Sequence, residues 1–275
     1  MYNAYRHCNG RASAVQQRMK QAKTPRVLLT AALSLVFAGL PPLFAGGKVP
    51  TRVAIDGVPC VEQIKNYCGP AALTSVLKHW GLATDQKTVG KAVYDNSLQA
   101  TNGADMMLYA RSKGFSAYSW NSSLQDLKQK LALGIPVIVL QDSSPTDRSG
   151  HYRVAAGYDD DSRVVFVNDP YEPETKQLGY DRFQSLWERH GNWSLLICPK
   201  DRDTFKAELN DSNPVVHIDL AYVYFKHGDL KASERESRIA LDLEPQNYSA
   251  KALLAKATRA LGARSNGEAK AGTGK

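Results

Sequence analysis

The stretch from Gln63 to Trp80 constrains the fold most, because it places a cysteine directly before an amphipathic helix. Pro70 suits the first turn of a helix, and Gly81 is typical of a helix end. The spacing predicts a helix over residues 69–80 with one apolar face, formed by Ala72, Leu73, Val76, Leu77 and Trp80. Cys68 therefore lies at the start of a helix whose apolar face requires a core to pack against.

The segments that follow predict an α+β fold. Further helices are predicted over residues 85–94, 104–113, 123–133 and 180–190. Apolar runs predict strands over residues 115–120, 135–140, 151–158, 163–169 and 193–197. Because helices come first and strands then succeed one another, an antiparallel sheet is favoured over alternating βαβ units. The domain is predicted to span residues 50–200.

A basic head precedes an apolar segment at the start of the chain. Residues 1–26 contain six lysines or arginines and no acid, which leaves +2 of the net charge of +8 for the other 249 residues. This nearly neutral remainder offers no basic face, so a nucleic-acid partner is not expected. The apolar run over residues 27–40 is shorter than the roughly 20 residues of a transmembrane helix. Residues 1–46 are predicted to be an export signal, with Met1 or Met19 as the start.

This signal is either cleaved after Ala45 or retained as a membrane anchor, and the sequence leaves both alternatives open. In both cases we expect an exported protein that works in the periplasm, or on the extracytoplasmic side of a membrane.

Residues 212–262 form a second region in which every segment reads as helix. Counted from Pro214, the small, aromatic, glycine and proline positions follow the tetratricopeptide repeat, although Ser233 replaces an expected alanine. One and a half repeats cannot bury a core alone, so this segment should pack on the first domain or self-associate. It is a candidate site for a protein partner. Residues 263–275 are predicted to be a disordered tail.

Cys68 is the candidate nucleophile, because a helix N-terminus stabilises the thiolate form of cysteine. Four of the six histidines are excluded as its base because they lie in the leader, in the helical region or about 16 Å along the same helix: His7, His217, His227 and His79. His190 stays open, and His151 is favoured because it joins a polar loop to an apolar strand. Neither a zinc pattern nor a cofactor motif is indicated, and Cys60 and Cys198 are left as a disulfide or as two buried thiols.

The hairpin that follows His151 supplies a third group. With a three-residue turn over residues 159–161, the register places Asp169 opposite His151, at about 5 Å between Cβ atoms. Asn168 is the alternative. Gln63, five residues before Cys68, carries an amide that could donate to a developing oxyanion beside the Cys68 N–H.

These motifs together resemble the C39-like cysteine peptidases of bacteria, which have a papain-like fold. The resemblance covers roughly residues 50–200 and rests on Gln63, on the run Tyr67-Cys68-Gly69-Pro70, on Gly150-His151-Tyr152 and on Asn168-Asp169-Pro170-Tyr171. It implies that Cys68 is the nucleophile, His151 the base, Asp169 its orienting group and Gln63 the oxyanion donor. It also implies a peptide or protein substrate, such as a leader or precursor peptide.

Two other functions use the same residues and stay open at this point. An acyl transferase would have the same triad but pass the acyl group to an amine or a thiol instead of water. A catalytically silent, peptidase-like module would have no turnover, and the tetratricopeptide-like segment would bind a protein partner.

Overall fold

The computed structural model of the protein describes residues 49–272, and the side chains of residues 49–265. Its centre is a seven-stranded antiparallel sheet in which β4, β9, β5, β6, β7 and β8 follow in that order, with β1 paired to the far end of β6. The strands are β1 (Arg52–Ala54), β4 (Ser116–Asn121), β5 (Val137–Asp142), β6 (Gly150–Asp159), β7 (Val164–Asn168), β8 (Thr175–Gly179) and β9 (Trp193–Cys198). A separate two-stranded sheet pairs β2 (Tyr94–Asp95) with β3 (Ala100–Thr101).

Nine helices accompany these strands within the described residues. They are α1 (Cys68–His79), α2 (Gln86–Val93), α3 (Gly103–Ser112), α4 (Leu124–Ala132), α5 (Tyr180–Trp187), α6 (Lys206–Leu209), α7 (Pro214–Lys226), α8 (Leu230–Leu243) and α9 (Tyr248–Gly272). Two short 3₁₀ turns cover Glu188–His190 and Lys200–Arg202. The predicted α+β class is confirmed. The predicted signal or anchor over residues 1–46 lies outside the described residues, and within residues 49–272 no helix is both long and apolar enough to cross a membrane.

Helix boundaries follow the local capping chemistry that the sequence offers. The Asp85 carboxylate accepts a hydrogen bond from the Thr88 N–H at the start of α2, and the Ser123 hydroxyl accepts one from the Asp126 N–H at the start of α4. Both pairs satisfy amide groups that a helix start leaves without partners.

Helix α1 contacts β6, and α3 contacts β4 and β9. The segment that precedes β6 therefore packs against the sheet through α1 and α3.

The register of the β6–β7 hairpin differs from the predicted one. Asp159 pairs with Val164, so the turn comprises the four residues 160–163 and not the three residues 159–161. The register then shifts by one between Ala155 and Gly157, as in a β-bulge. Without that shift, Asp169 would project to the sheet face opposite to His151, because side chains alternate along a strand. The bulge therefore returns Asp169 to the His151 face.

The C-terminal helices pack on the sheet domain. Helix α7 contacts α3 and β4, and its residues Val216 and Leu220 belong to the same buried cluster as Leu196 of β9. Ser233, which stands where the repeat pattern expects alanine, is fully buried and donates its hydroxyl to the Ala221 carbonyl at 2.8 Å. This bond satisfies the polar group that the substitution introduces into a helix interface. The tetratricopeptide assignment itself stays a prediction.

The structure differs from the predicted disordered tail, because residues 263–272 continue α9 as helix. Three of these ten residues are alanine, and arginine, glutamate and lysine each occur once; all four residue types have high helix propensity. The composition that indicated disorder is therefore equally compatible with a helix extended from a packed segment.

Gly103 at the start of α3 provides a test of the packing. A Cβ at this position would lie 2.3 Å from the ring of Trp193, whereas a Cβ at Gly262 in α9 would meet nothing within 4 Å. We expect Gly103→Ala to reduce the free energy of unfolding by about 1–3 kcal/mol, since the indole must move. Gly262→Ala, the matched control, should raise it by roughly 0.5–1 kcal/mol through helix propensity. Urea unfolding of both variants measures these changes. Equal changes in the free energy of unfolding would contradict the close contact between Gly103 and Trp193.

Candidate active site

Cys68 is the first residue of α1, and the chain before it fixes this position. The first α1 hydrogen bond runs from the Ala71 N–H to the Tyr67 carbonyl at 2.9 Å, so the N–H groups of Cys68 and Gly69 precede the helical ladder. A Cβ at Gly69 would lie only 2.6 Å from the Thr101 side chain. Glycine at that position therefore permits the close approach of the helix start to β3.

His151 lies at the start of β6 with its ring buried, 1% exposed. Its Nε2 atom lies 2.7 Å from the Oδ1 atom of Asp169, just beyond the end of β7. The Tyr171 N–H donates to the same carboxylate oxygen at 3.0 Å. Because Asp169 engages Nε2, the remaining ring nitrogen, Nδ1, is the one available to the Cys68 thiol. The structure thus brings Cys68, His151 and Asp169 together as one series, in which the thiol interacts with His151 and His151 is paired with Asp169.

The electrostatics of the series favour a charged pair. Burial of the thiol opposes its ionisation, but the hydrogen bond and charge of His151, with the N–H groups of Tyr152 and Gly69, lower the pKa of Cys68 below its ordinary value. Burial likewise opposes protonation of His151, but its hydrogen bonds to Asp169 and Cys68 raise the pKa of the imidazole. Opposite shifts of this kind move the pair toward thiolate beside imidazolium.

Besides His151, Asp169 is held by Arg153. Its Oδ2 atom accepts a hydrogen bond from the Nε group of Arg153 at 2.6 Å. Burial opposes ionisation of the carboxyl, but the hydrogen bond with His151 and the charge of Arg153 hold the pKa of Asp169 well below its usual range. Asp169 is therefore an anion between two positively charged partners.

Tyr171 covers one face of the imidazole. Its ring stacks on His151 with centroids 4.3 Å apart and planes 4° from parallel. Such a cover limits the access of water to the His151–Asp169 hydrogen bond, which strengthens it.

Gln63 lies next to Tyr171. Its N–H donates to the Pro170 carbonyl at 2.8 Å, which joins the segment before Cys68 to the segment after Asp169. Its side-chain oxygen, Oε1, is buried without a hydrogen-bond partner among the described residues. A surface pocket of about 380 Å³ opens here, lined by Glu62, Gln63, Lys65, Asn66, Pro170 and Tyr171.

Asn168 and His190, the alternatives that the sequence left open, have other hydrogen-bond partners. The Asn168 amide donates to the Val58 carbonyl at 3.0 Å and accepts from the Thr175 hydroxyl at 2.7 Å. The Nε2 atom of His190 lies 2.9 Å from the Asp142 carboxylate, so this histidine has its own acidic partner. Within the described chain, Asn168 therefore does not orient His151.

The remaining thiols and acids form no further centre within the described residues. Cys60 and Cys198 are both free, so they are not joined as a disulfide. In the same range, no group of three or more histidine, cysteine, aspartate or glutamate side chains is arranged to hold a metal ion.

Sequence reasoning did not identify Arg153 or assign a role to Tyr171. The signal for Arg153 was present, since an arginine two residues after His151 in an apolar strand places a charge on the same face as the imidazole. A charge buried in a strand requires a partner of opposite sign. Tyr171 carried no comparable signal, because stacking depends on the path of the loop after Asp169.

The chain was compared with known proteins. The profile of a family described as "Peptidase_C39 like family" matches residues 55–195. No curated protein matches the chain.

Solved structures with similar folds include three peptidases. The peptidase domain of Streptococcus ComA, a bi-functional ABC transporter involved in a quorum sensing pathway, is 26% identical over 52% of this chain and 99% of that chain, with a TM-score of 0.43. A double glycine motif protease from an AMS/PCAT transporter, in complex with the leader peptide, is 18% identical over 55% and 100%, with a TM-score of 0.43. Xylellain, a cysteine protease from Xylella fastidiosa, is 13% identical over 55% and 87%, with a TM-score of 0.39.

Proposed function

Because the chain belongs to the C39-like peptidase family, we propose that it is a thiol-dependent peptidase with Cys68 as its nucleophile. The observation that carries the proposal is the series from Cys68 through His151 to Asp169, in which the imidazole lies 2.7 Å from the carboxylate, the pKa of the thiol is lowered and the pKa of the imidazole is raised. A thiolate formed in this way is the nucleophilic species of cysteine. His151 serves as base and acid, and Asp169 orients it.

The first step is attack by the thiolate on the carbonyl carbon of a peptide bond. The S–C bond forms while the carbonyl π electrons move to oxygen, and the imidazolium of His151 keeps the proton that came from the thiol. Asp169 keeps this proton-carrying ring in place, because its Oδ1 atom accepts from Nε2 and leaves Nδ1 directed at the reacting atoms.

The developing oxyanion requires donors that are already in place. The N–H of Cys68, at the start of α1, is one donor without a helical partner. The amide of Gln63 is the second. Its buried side-chain oxygen has no hydrogen-bond partner among the described residues, so rotation of the amide to present Nε2 to a substrate oxygen breaks no hydrogen bond of that atom.

Collapse of the tetrahedral intermediate breaks the C–N bond, and His151 gives its proton to the departing amine. The product is a thioester on Cys68. Water then gives a proton to His151 and attacks the thioester carbon, after which the Cys68 thiolate leaves and the carboxylic acid is released. Each proton that His151 gives in the first half is recovered in the second.

The pH dependence follows from the two shifted groups. Activity should appear as pH rises through the lowered pKa of Cys68, because the thiolate forms, and should disappear as pH rises through the raised pKa of His151, because the imidazolium is lost. We therefore expect a bell-shaped profile of kcat/KM, with its acid limb below the pH at which an ordinary thiol ionises. Initial rates across a constant-ionic-strength buffer series measure this profile. A rate that rises only with ordinary thiol ionisation would contradict the assignment.

The reaction class is tested by incubating the full chain with a peptide library in H₂¹⁸O and identifying the products by mass spectrometry. Hydrolysis places one ¹⁸O atom in the new carboxyl group, whereas acyl transfer to an amine does not. Peptides with a Gly-Gly pair form a separate arm, because cleavage of a leader or precursor peptide is the substrate hypothesis. Intact peptides in every arm would overturn the proposed function.

Three further features stay predictions. They are a protein partner for the tetratricopeptide-like segment, export directed by residues 1–46, and membrane association through residues 1–46. The last two can be tested by locating full-length and 1–46-deleted protein in fractionated cells.

A further inference from the structure

Arg153 is a charged side chain inside the sheet, only 5% exposed. It lies two residues after His151 in β6, so both side chains project to the same face of the sheet. Burial of a guanidinium costs free energy unless its N–H groups and its charge are matched. The partners of Arg153 therefore indicate why this position carries arginine.

The first partner is the carboxylate of Asp169, whose two oxygens are divided between neighbours. Oδ2 accepts from the Nε group of Arg153 at 2.6 Å, and Oδ1 lies 2.7 Å from Nε2 of His151. The Tyr171 N–H also donates to Oδ1, at 3.0 Å. With both oxygens engaged, the carboxylate cannot turn about its own bond without breaking a charge-assisted hydrogen bond.

The other end of the guanidinium is anchored to β5 and to the loop that follows it. Its remaining N–H groups donate to Gln141 Oε1 at 3.3 Å, to the Asp142 carbonyl at 3.1 Å and to the Ser143 carbonyl at 2.8 Å. Gln141 is the residue paired with His151 across the β5–β6 ladder, and its amide donates to the Phe183 carbonyl at 2.9 Å. Arg153 thus connects Asp169 to the strand that neighbours His151.

We propose that Arg153 is a positioning residue of this site: it holds Asp169 against the sheet so that Oδ1 faces Nε2 of His151, and it places a fixed positive charge beside the pair. The effect on rate rests on the proposed peptidase function, but the effect on His151 does not. A lysine could supply the charge, yet only the planar fork of arginine reaches the carboxylate and the carbonyl groups together.

The charge has a measurable consequence at His151. The ionisable groups that face the ring are Cys68 from α1, Arg153 from β6, Asp169 and the stacked Tyr171 from beyond β7, and Asp147 from the β5–β6 loop. Of these, only Arg153 is a permanent cation, and its charge opposes protonation of the ring. Removing the charge should raise the pKa of His151, whereas loosening Asp169 should lower it, because the hydrogen bond to Asp169 favours the protonated ring. The effect of the charge is therefore read between two variants that both lose the fork.

The test uses full-length Arg153→Met in two settings. In the Cys68→Ala background, where the thiol no longer titrates, NMR of ¹⁵N-labelled imidazole should show His151 titrating at a higher pH in Arg153→Met than in Arg153→Lys, because both variants lose the fork and only methionine removes the charge. With Cys68 intact, kcat should fall by up to about 100-fold relative to wild type, with little change in KM, because the base is no longer aligned.

Arg153→Lys covers the case in which the methionine variant does not fold. This variant should lose kcat relative to wild type although the charge remains, because the fork that holds Asp169 is gone. The matched control is Arg238→Met, whose arginine pairs with Glu234 on the exposed side of α8 and should affect neither readout.

Full activity in Arg153→Lys would overturn the proposal, as would equal His151 titrations in folded Arg153→Met and Arg153→Lys. The titration also separates this inference from the proposed function, since a wild-type protein without peptidase activity still reports the charge of Arg153 on His151.

Discussion

Replacing Cys68 with alanine is expected to lower kcat/KM by at least about 10⁴-fold, because no other group can form the thioester. The substitution removes one sulfur atom at the helix start, so the fold should persist. Peptide cleavage followed by mass spectrometry measures the loss, and circular dichroism verifies that the variant is folded.

Cys60→Ala is the matched control for this variant. Cys60 is also a partly buried free cysteine, but its sulfur lies against the Thr175 hydroxyl at 3.6 Å. We expect cleavage at the wild-type rate. If Cys60→Ala lost activity and Cys68→Ala kept it, the nucleophile would be wrongly assigned.

His151→Ala has the second largest expected effect. Loss of a general base and acid should lower kcat/KM by about 10²–10⁴-fold. The pKa of Cys68 should also rise, because burial of the thiol would no longer be opposed by the imidazole. Steady-state kinetics measure the first effect, and the pH dependence of thiol absorbance at 240 nm measures the second.

His190→Ala provides the comparison for that result. His190 forms the other histidine–carboxylate pair in this part of the protein, with Asp142. The structure gives it no contact with the thiol, and we expect both the rate and the thiol titration to stay close to wild type. Loss of activity in His190→Ala with retention in His151→Ala would reverse the assignment of the base.

Local chemistry explains why much of the fold could be predicted. The α1 helix was recognisable from an apolar stripe over residues 72–80 with Pro70 and Gly81 near its ends, and α4 from the cap at Ser123. These signals depend on neighbours within a few residues, which the sequence displays directly. Very short strands such as β2 and β3 were missed, because two residues carry no periodicity.

Elimination left His151 and His190 as candidate partners of Cys68, with His151 favoured, but the position of Asp169 depended on two compensating features. The turn after Asp159 is one residue longer than predicted, and the bulge near Ala156 restores the face on which Asp169 projects. Turn length and bulges are decided by packing across the whole sheet, so a three-residue turn gave the right partner from the wrong register.

Other parts of the site could not be predicted because they depend on tertiary contacts alone. The stacking of Tyr171 on His151 and the bond from Gln63 to Pro170 join segments that are distant in the chain. No local pattern marks such contacts. A contact outside the site could not be predicted for the same reason: the Nδ1 atom of His217 in α7 lies 2.8 Å from the Glu236 carboxylate in α8.

The most direct test of the central claim is the rate at which iodoacetamide alkylates Cys68 as a function of pH, followed by mass spectrometry in wild type and in His151→Ala. Thiolate and not thiol is the species that reacts. If His151 holds Cys68 as a thiolate, wild-type Cys68 will be alkylated well below the pH at which an ordinary thiol ionises, and His151→Ala will shift that curve to higher pH. Alkylation that follows an ordinary thiol titration, with the same curve in both proteins, would contradict the account.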